Sequence, residues 1–387
     1  VEASQPSELA DAIKAAARAC GARAVRIAPA GADATTRARM RAAFARGDHA
    51  TWSYDDGYAA AASDPQTVLP GARAVVCIAV PYATPAPPER RGRGRVSAYA
   101  WSNDYHKTMR RMLLEIAQRI DALAGAPVTK IACDTAPLAE RAFAQRAGLG
   151  WIGKHTGLIV KDLGSQVFLG EIVTTLALAP DPPLRTTCGA CRVCVDVCPT
   201  GALRGDRTIE ATRCISDLTQ RRDPIPRALR ALLGTWVWGC DLCNDACPPT
   251  RNAGSIGDAR FAPRSADLAA PDLRALLRLG GGAARQMRRT GMGWRGPVVL
   301  RRNAAVALGN ELDRAGVPAL IEALHADPSP LVRGHAAWAL GRIGSPRART
   351  ALAAALSDEA DVGVREEVTA ALEPSRPPEA LQAETAC

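Results

Sequence analysis

The sequence predicts a three-part α+β chain: a mixed α/β domain, a small cysteine-rich module and a C-terminal helical array. Three observations carry this. Strand and helix patterns alternate through the first half of the chain. Eight cysteines then crowd between Cys188 and Cys247. The last third overlays itself when shifted by 32 residues. At 387 residues there is room for two or three domains, and we place their limits at 1–185, 186–260 and 261–380.

In the first part an Ala-rich helix spans Ser7 to Cys20, followed by a short strand over Ala24 to Ile27. Ala74 to Val80 is uniformly apolar, which marks a buried strand, and Pro81 ends it. Tyr105 to Ala124 places Met109, Met112, Leu113, Ile116 and Ile120 on one helical face. Val128 to Cys133 reads as a strand running into Asp134, and Ala136 to Ala147 as a helix stopped by Gly148. Leu158–Lys161 and Val167–Thr175 read as a β-pair. Alternation of this kind indicates a layered α/β domain. Pro180, Pro182 and Pro183 form the linker that follows.

Cys188, Cys191, Cys194 and Cys198, followed by Pro199, spell C-x2-C-x2-C-x3-C-P; Cys214, Cys240, Cys243 and Cys247 complete eight. This is the ligand spacing of a bacterial two-cluster ferredoxin, in which the fourth cysteine of a run serves the other cluster. Cys188, Cys191, Cys194 and Cys247 are therefore expected on one [4Fe–4S] cluster, and Cys198, Cys214, Cys240 and Cys243 on the second. A zinc ribbon lacks the third cysteine of such a run. A disulfide framework needs a secreted chain, and Val1 to Ala34 shows no signal-peptide pattern. No apolar run reaches membrane-spanning length. The expected setting is the reducing cytoplasm, with no membrane partner. Cys20, Cys77, Cys133 and Cys387 sit in apolar or terminal contexts and are expected to be inert.

In the third part, Arg301–Gly309 aligns with Arg333–Gly341, and Leu320 and Leu324 align with Leu352 and Leu356. Helix pairs at this period form a HEAT-like α-solenoid. So few units are expected to lean on the cysteine-rich module. Residues after Pro374 are expected to fray.

The formal charge is +10. It concentrates between Leu273 and Asn310, where no acidic residue accompanies Arg274, Arg278, Arg285, Arg288, Arg289, Arg295, Arg301 and Arg302. Guanidinium forks suit phosphate oxygens, so this stretch is a candidate nucleic-acid contact. A solvated face is the plainer alternative. Arg90, Arg91, Arg93 and Arg95 form a second basic run.

Two clusters carry electrons but do not themselves transform a substrate, so a flavin, a cobalamin or a bound partner must receive them. No G-x-G-x-x-G follows a strand, which disfavours a dinucleotide site. No D-x-H-x-x-G supplies a histidine to cobalt; Asp104–Met109 is the nearest string and lacks the glycine. Asp134, at a strand end, is the candidate acid; an N-cap is the equal alternative. Gly148, Gly150, Gly153 and Gly157 around Trp151 allow backbone to approach a large flat ligand. His106 and His155 stand alone, without metal-ligand spacing.

Cys133–Arg141, Ala147–Lys154, the double cysteine motif and Trp238–Pro248 together resemble the epoxyqueuosine reductases, over essentially the whole chain. The resemblance implies a reductive-dehalogenase-like α/β domain, two [4Fe–4S] clusters, and cobalamin bound base-off without a histidine ligand. It implies reduction of epoxyqueuosine to queuosine at the tRNA wobble position, with electrons passing from the clusters to cobalamin and then the epoxide, and with Asp134 as proton donor. Trp151, Gly153, Lys154 and Ser216 match cofactor-lining positions, as do Tyr99, Tyr105 and His106. His155 and Asp217 depart from the family pattern, and Thr51–Asp56 matches its early cofactor loop poorly. The implied partners are tRNA carrying epoxyqueuosine, gripped by Arg285, Arg288, Arg289, Arg295, Arg301 and Arg302, and a flavodoxin- or ferredoxin-type reductant, the protein itself acting as a monomer. Rival readings are a dehalogenase-like corrinoid enzyme acting on a small molecule and a plain two-cluster electron carrier.

Overall fold

A strand without a single polar side chain, and two long helices each apolar along one face, set the architecture of the first part. The structure, a computed structural model, describes residues 6–373; Cys387 and the expected fraying after Pro374 lie outside them. In chain order the first part comprises α1 (Pro6–Ala19), β1 (Ala24–Pro29), α2 (Ala34–Ala45), α3 (Asp56–Ala62), β2 (Ala74–Pro81), β3 (Arg95–Val96), α4 (Tyr105–Ala124), β4 (Thr129–Ala132), α5 (Glu140–Arg146), β5 (Gly150–Ile152), β6 (Leu158–Val160) and β7 (Val167–Thr174). The main sheet has the order β1-β2-β7-β4, and every pairing in it is antiparallel. Every residue of β2 is buried, because helices cover both faces. Ile13 and Ala17 of α1 pack with Met109, Leu113, Ile116 and Ile120 of α4 on one side. Phe143 and Ala144 of α5 cover Val75, Cys77 and Val173 on the other.

Two expectations are corrected. The helix read from Ala136 starts only at Glu140, because Pro137 keeps the residue before it out of helical conformation. Leu158–Lys161 does not pair with Val167–Thr175. Instead β6 pairs with β5, Trp151 opposite Ile159, while β7 runs between β2 and β4. Period-two alternation marks a strand but does not name its neighbour.

Between Leu184 and Thr250 the chain has only short helices and one strand, β8 (Trp236–Trp238), which pairs in parallel with β3. The C-terminal helices Pro297–Asn310, Pro330–Ile343 and Val362–Leu372 form an inner row, backed by Val317–Ala326 and Pro346–Asp358. The 32-residue repeat has a packing cause. A Cβ added to Gly309 would lie 2.9 Å from Ala339, and one added to Gly341 would lie 2.7 Å from Ala371, so each glycine admits the next inner helix. The ion pairs repeat as well: Arg301 forks onto Asp327 at 2.7 and 3.1 Å, and Arg333 onto Glu359 at 2.7 and 2.8 Å.

The solenoid leans on the cysteine-rich module as expected. Arg302 is fully buried and donates to the carbonyls of Leu218, Arg221 and Asp223. Asn303 donates to those of Thr219 and Val237. His335, one repeat later, accepts the Ile225 N–H at 3.2 Å. Arg230 reaches back to Glu367. One hydrophobic cluster accordingly runs from Ala10 to Val368. No helix among the described residues is long and apolar enough to cross a membrane.

Arg302→Met strands three buried carbonyls and lowers stability by about 3 kcal/mol. An exposed control, Arg288→Ala, shifts it by less than about 0.5 kcal/mol. Urea midpoints of the two variants check this; equal midpoints would remove Arg302 from its fastening role.

Candidate active site

Asp134 follows the end of β4 with a φ of 52°, a left-handed conformation that a non-glycine residue holds only under constraint. It is not an N-cap. Ala139 precedes α5 and offers no capping side chain. Asp134 is instead half exposed, its Oδ2 2.7 Å from Nε2 of His106. Nδ1 of the same ring lies 2.6 Å from Oδ1 of Asp104, the N-cap of α4. An imidazole with a carboxylate at each nitrogen donates from both and carries a proton. The hydrogen bond to Asp134 accordingly raises His106 to about 9, and the same bond holds Asp134 below the usual carboxylate range. Tyr105 fixes the ring by stacking on it at 4.1 Å, its other neighbour being Phe168 at 4.2 Å. His106 is thus the partner of Asp134 rather than an isolated histidine.

Around these three residues stand groups to which sequence reasoning assigned no role. Glu140 accepts the Asp134 N–H. Arg141 donates to the Thr156 carbonyl at 2.7 Å and ties the glycine loop to α5. Arg141 is exposed, and the protein packed around it lowers it from the ordinary arginine value, against the opposing charges of Glu140 and Asp134. Tyr54 and Tyr58 lie near enough for the Asp134 charge to raise them, after burial.

The loop Gly153–Gly157 forms the next wall. His155 is buried, which pushes it down to about 4; its Nδ1 accepts the Gly157 N–H at 3.1 Å, so the proton sits on Nε2. That Nε2 and the Trp151 Nε1 are buried without partners. A Cβ at Gly153 would meet Ile159 at 2.8 Å and His155 at 3.1 Å. Gly153 is thus small because Ile159 and His155 fill its side, while the two unanswered ring N–H groups leave hydrogen-bonding capacity for a ligand in this wall. Other expected contacts are already engaged. Lys154 Nζ donates to the Gly189 carbonyl at 2.9 Å. Ser216 Oγ accepts from Gln220 at 3.2 Å. Tyr99 OH accepts from Trp238 Nε1 at 2.8 Å.

The eight thiols fall into two adjoining groups. Cys194 and Cys247 have each other, Cys188 and Cys191 as charged neighbours. Cys240 and Cys243 share Cys214, Cys198 acts on both Cys214 and Cys243, and Cys194 of the first group also acts on Cys243, where the two groups meet. Cys191 is exposed, as are Val193 and Val197 beside it. Among the described residues no three His, Cys, Asp or Glu side chains converge on a single-ion site. Cys20 and Cys77 are buried. A separate cavity of about 580 Å³, lined by Arg95, Gln166, Asp241 and Asp245 among others, shares no residue with the Asp134 site.

The arginine run divides. Arg285, Arg288 and Arg289 are exposed, and the Arg289 carbonyl accepts the Asp104 N–H at 2.9 Å, which sets this segment on the rim of the Asp134 site. Arg295 stacks on Trp52 and Trp294 at 4.6 and 4.0 Å. Arg301 and Arg302 are corrected. The first is paired with Asp327 and the second is wholly buried against carbonyls, so neither presents a free fork. Absence of acidic neighbours in sequence hid acceptors supplied by other segments.

The model described as 4Fe-4S double cluster binding domain matches residues 187–250. Epoxyqueuosine reductase QueG, DUF1730 matches 63–135, and HEAT repeats matches 296–373. An epoxyqueuosine reductase of Bacillus cereus is 36% identical over 318 residues, covering 80% of this chain and 83% of that one. The chain belongs to the epoxyqueuosine reductase family. A crystal structure of a selenomethionine-labelled epoxyqueuosine reductase superposes with a TM-score of 0.89 at 31% identity, over 95% of this chain and 98% of the other. Another, holding an epoxyqueuosine-modified tRNA-Tyr stem loop, gives 0.88 at 31% identity over the same shares.

The His106–Asp134 pair has a defined pH window. Asp134, depressed, contributes above the ordinary carboxylate range and loses its contribution as pH falls. His106, raised, contributes fully below the ordinary histidine value and loses it as pH climbs through about 9. Asp134→Asn should bring the His106 midpoint down by about one unit or more, read by NMR of labelled imidazole nitrogens. An unmoved midpoint would dissolve the pair.

Proposed function

We propose that this protein reduces epoxyqueuosine to queuosine at the wobble position of tRNA, the last step in making that nucleoside, with Asp134 delivering the proton to the departing oxygen. The observation that carries this is the placing of three exposed arginines on the rim of a carboxylate–imidazole acid. The Arg289 carbonyl is bonded to Asp104, which in turn holds His106 against Asp134. A phosphate-binding segment and a proton source on one rim suit a reaction performed on RNA rather than on a free small molecule.

Deoxygenating an epoxide to an alkene consumes two electrons and two protons and releases water. The electrons come singly, from a flavodoxin- or ferredoxin-type donor through the two [4Fe–4S] clusters. Cys188, Cys191, Cys194 and Cys247 would hold one cluster, and Cys198, Cys214, Cys240 and Cys243 the other. This assignment is supported by the two sulfur groupings and by the crossover spacing. Cobalamin fits the remaining wall. Trp151, Gly153, Lys154 and Ser216, with Tyr99, Tyr105 and His106, are the residues that would hold it, and the partnerless Nε1 of Trp151 supports that reading. When bound, it supplies a metal centre that collects single electrons and hands them to carbon.

The protein's own part is acid and orientation. An alkoxide leaves poorly at neutral pH, so a positioned acid is needed. At rest the proton lies on His106, between Asp104 and Asp134. Movement of that proton along the 2.7 Å bond makes Asp134 the neutral acid facing the cleft. Arg285, Arg288 and Arg289 hold backbone phosphates, and the exposed Trp294 offers a face on which an unstacked base can rest.

Asp134→Asn should lower turnover of an epoxyqueuosine-bearing stem loop by about 10²-fold or more, while cluster absorbance and iron content, about eight per chain, stay unchanged. Wild-type turnover by that variant would overturn the assignment. Arg288→Ala with Arg289→Ala should flatten the dependence of log Kd on log salt by about 1.4, measured by fluorescence anisotropy; an unaltered slope would take this segment out of the interface.

A further inference from the structure

Behind Asp134 lies a pair of carboxyl groups that the reaction as described does not use. Glu171 sits in the middle of β7, opposite Cys77 on β2 and Ala132 on β4, and none of its surface reaches solvent. Neither of its oxygens has a donor among the surrounding groups. The carboxyl of Glu140, at the first turn of the helix α5 that packs on β7, adds to the effect of burial in raising Glu171. Glu140 in turn accepts the backbone N–H of Asp134, the residue held at a φ of 52°.

Two carboxylates cannot both be ionised in such a place, since neither water nor a cation reaches Glu171 to offset the repulsion. One proton between them removes the conflict and supplies the missing hydrogen bond. Glu171, with no other donor to accept from, is the member that carries it. Burial raises both groups, Glu140 to about 7, in keeping with a retained proton.

We propose that Glu140 and Glu171 share a proton, and that in this state Glu140 latches the Asp134 loop in its left-handed conformation by holding the Asp134 amide. Glu140 is thus a positioning residue for the acid, and Glu171 positions Glu140. The sheet supplies the rigidity: β7 is bonded on both sides, by β2 and β4, so the latch hangs from an interior strand. Without it Asp134 relaxes to an ordinary backbone conformation and its carboxyl leaves His106. The proposal rests on Asp134 being the proton donor.

The test is amide hydrogen exchange of the full-length, cluster-loaded protein, followed at Asp134. Glu140→Ala should speed exchange at that amide by about tenfold or more, because no acceptor remains. Glu140→Gln keeps an amide oxygen in the same place and should restore wild-type protection. Glu171→Gln, which still donates to Glu140, should likewise protect, whereas Glu171→Leu should not. In Glu140→Ala, kcat on the modified stem loop should fall about tenfold with KM within twofold. Wild-type exchange in Glu140→Ala, or exchange in Glu140→Gln as fast as in Glu140→Ala, would overturn the latch. Should Glu171→Leu fail to accumulate, the two Glu140 variants decide alone. Exchange is read without turnover, so failure of the latch and failure of Asp134 as donor are told apart.

Discussion

Sulfur grouping is the constraint on which the rest of the molecule depends. In the assignment proposed above, each set of four thiols takes members from both ends of a segment running from Cys188 to Cys247, Cys247 returning to the first three cysteines and Cys198 passing forward to the last. A chain so bound cannot extend into long helices or strands, and its helices here are mostly of four residues. It leaves many carbonyls unpaired. Those between Leu218 and Val237 are answered from outside, by Arg302 and Asn303 of the solenoid. The repeat array is therefore part of what holds the cysteine-rich module in shape, besides whatever it binds.

The acid is built on the opposite logic. Asp104, His106 and Asp134 come from a helix start and a strand end, two rigid places, and meet through short hydrogen bonds at a cleft open to water. A depressed carboxylate is by itself a poor acid. In the proposed reaction the neighbouring imidazolium would supply the proton that the carboxylate lacks, and the ring is held by stacking on Tyr105, itself backed by Phe168. On the side of the glycine loop, Arg141 is held by the Thr156 carbonyl, and the ring nitrogens of Trp151 and His155 are buried without partners.

Much of this was legible in the sequence, for reasons of chemistry. Thiolate spacing announced two clusters because ligation imposes it, and helical periodicity placed α4 with both ends correct. The solenoid showed itself because Gly309 and Gly341 must both be small and Arg301 and Arg333 both need carboxylates. Long-range pairings were not legible. Nothing local told that β6 turns back on β5, that His106 would reach Asp134 across 28 residues, or that Glu171 in an apolar strand faces Glu140. Arg301 and Arg302 were misread for the same reason, since their acceptors lie far along the chain. The family resemblance added cobalamin and the substrate, which no spacing of residues in this chain encodes.

Cys191 stands at the surface, with Val193 and Val197 beside it, while Cys194 and Cys247 of the same group are buried. A cluster held by these cysteines would be least covered on the Cys191 side. An incoming electron and dioxygen, a small apolar molecule that apolar side chains do not repel, would then approach by the same side of the protein.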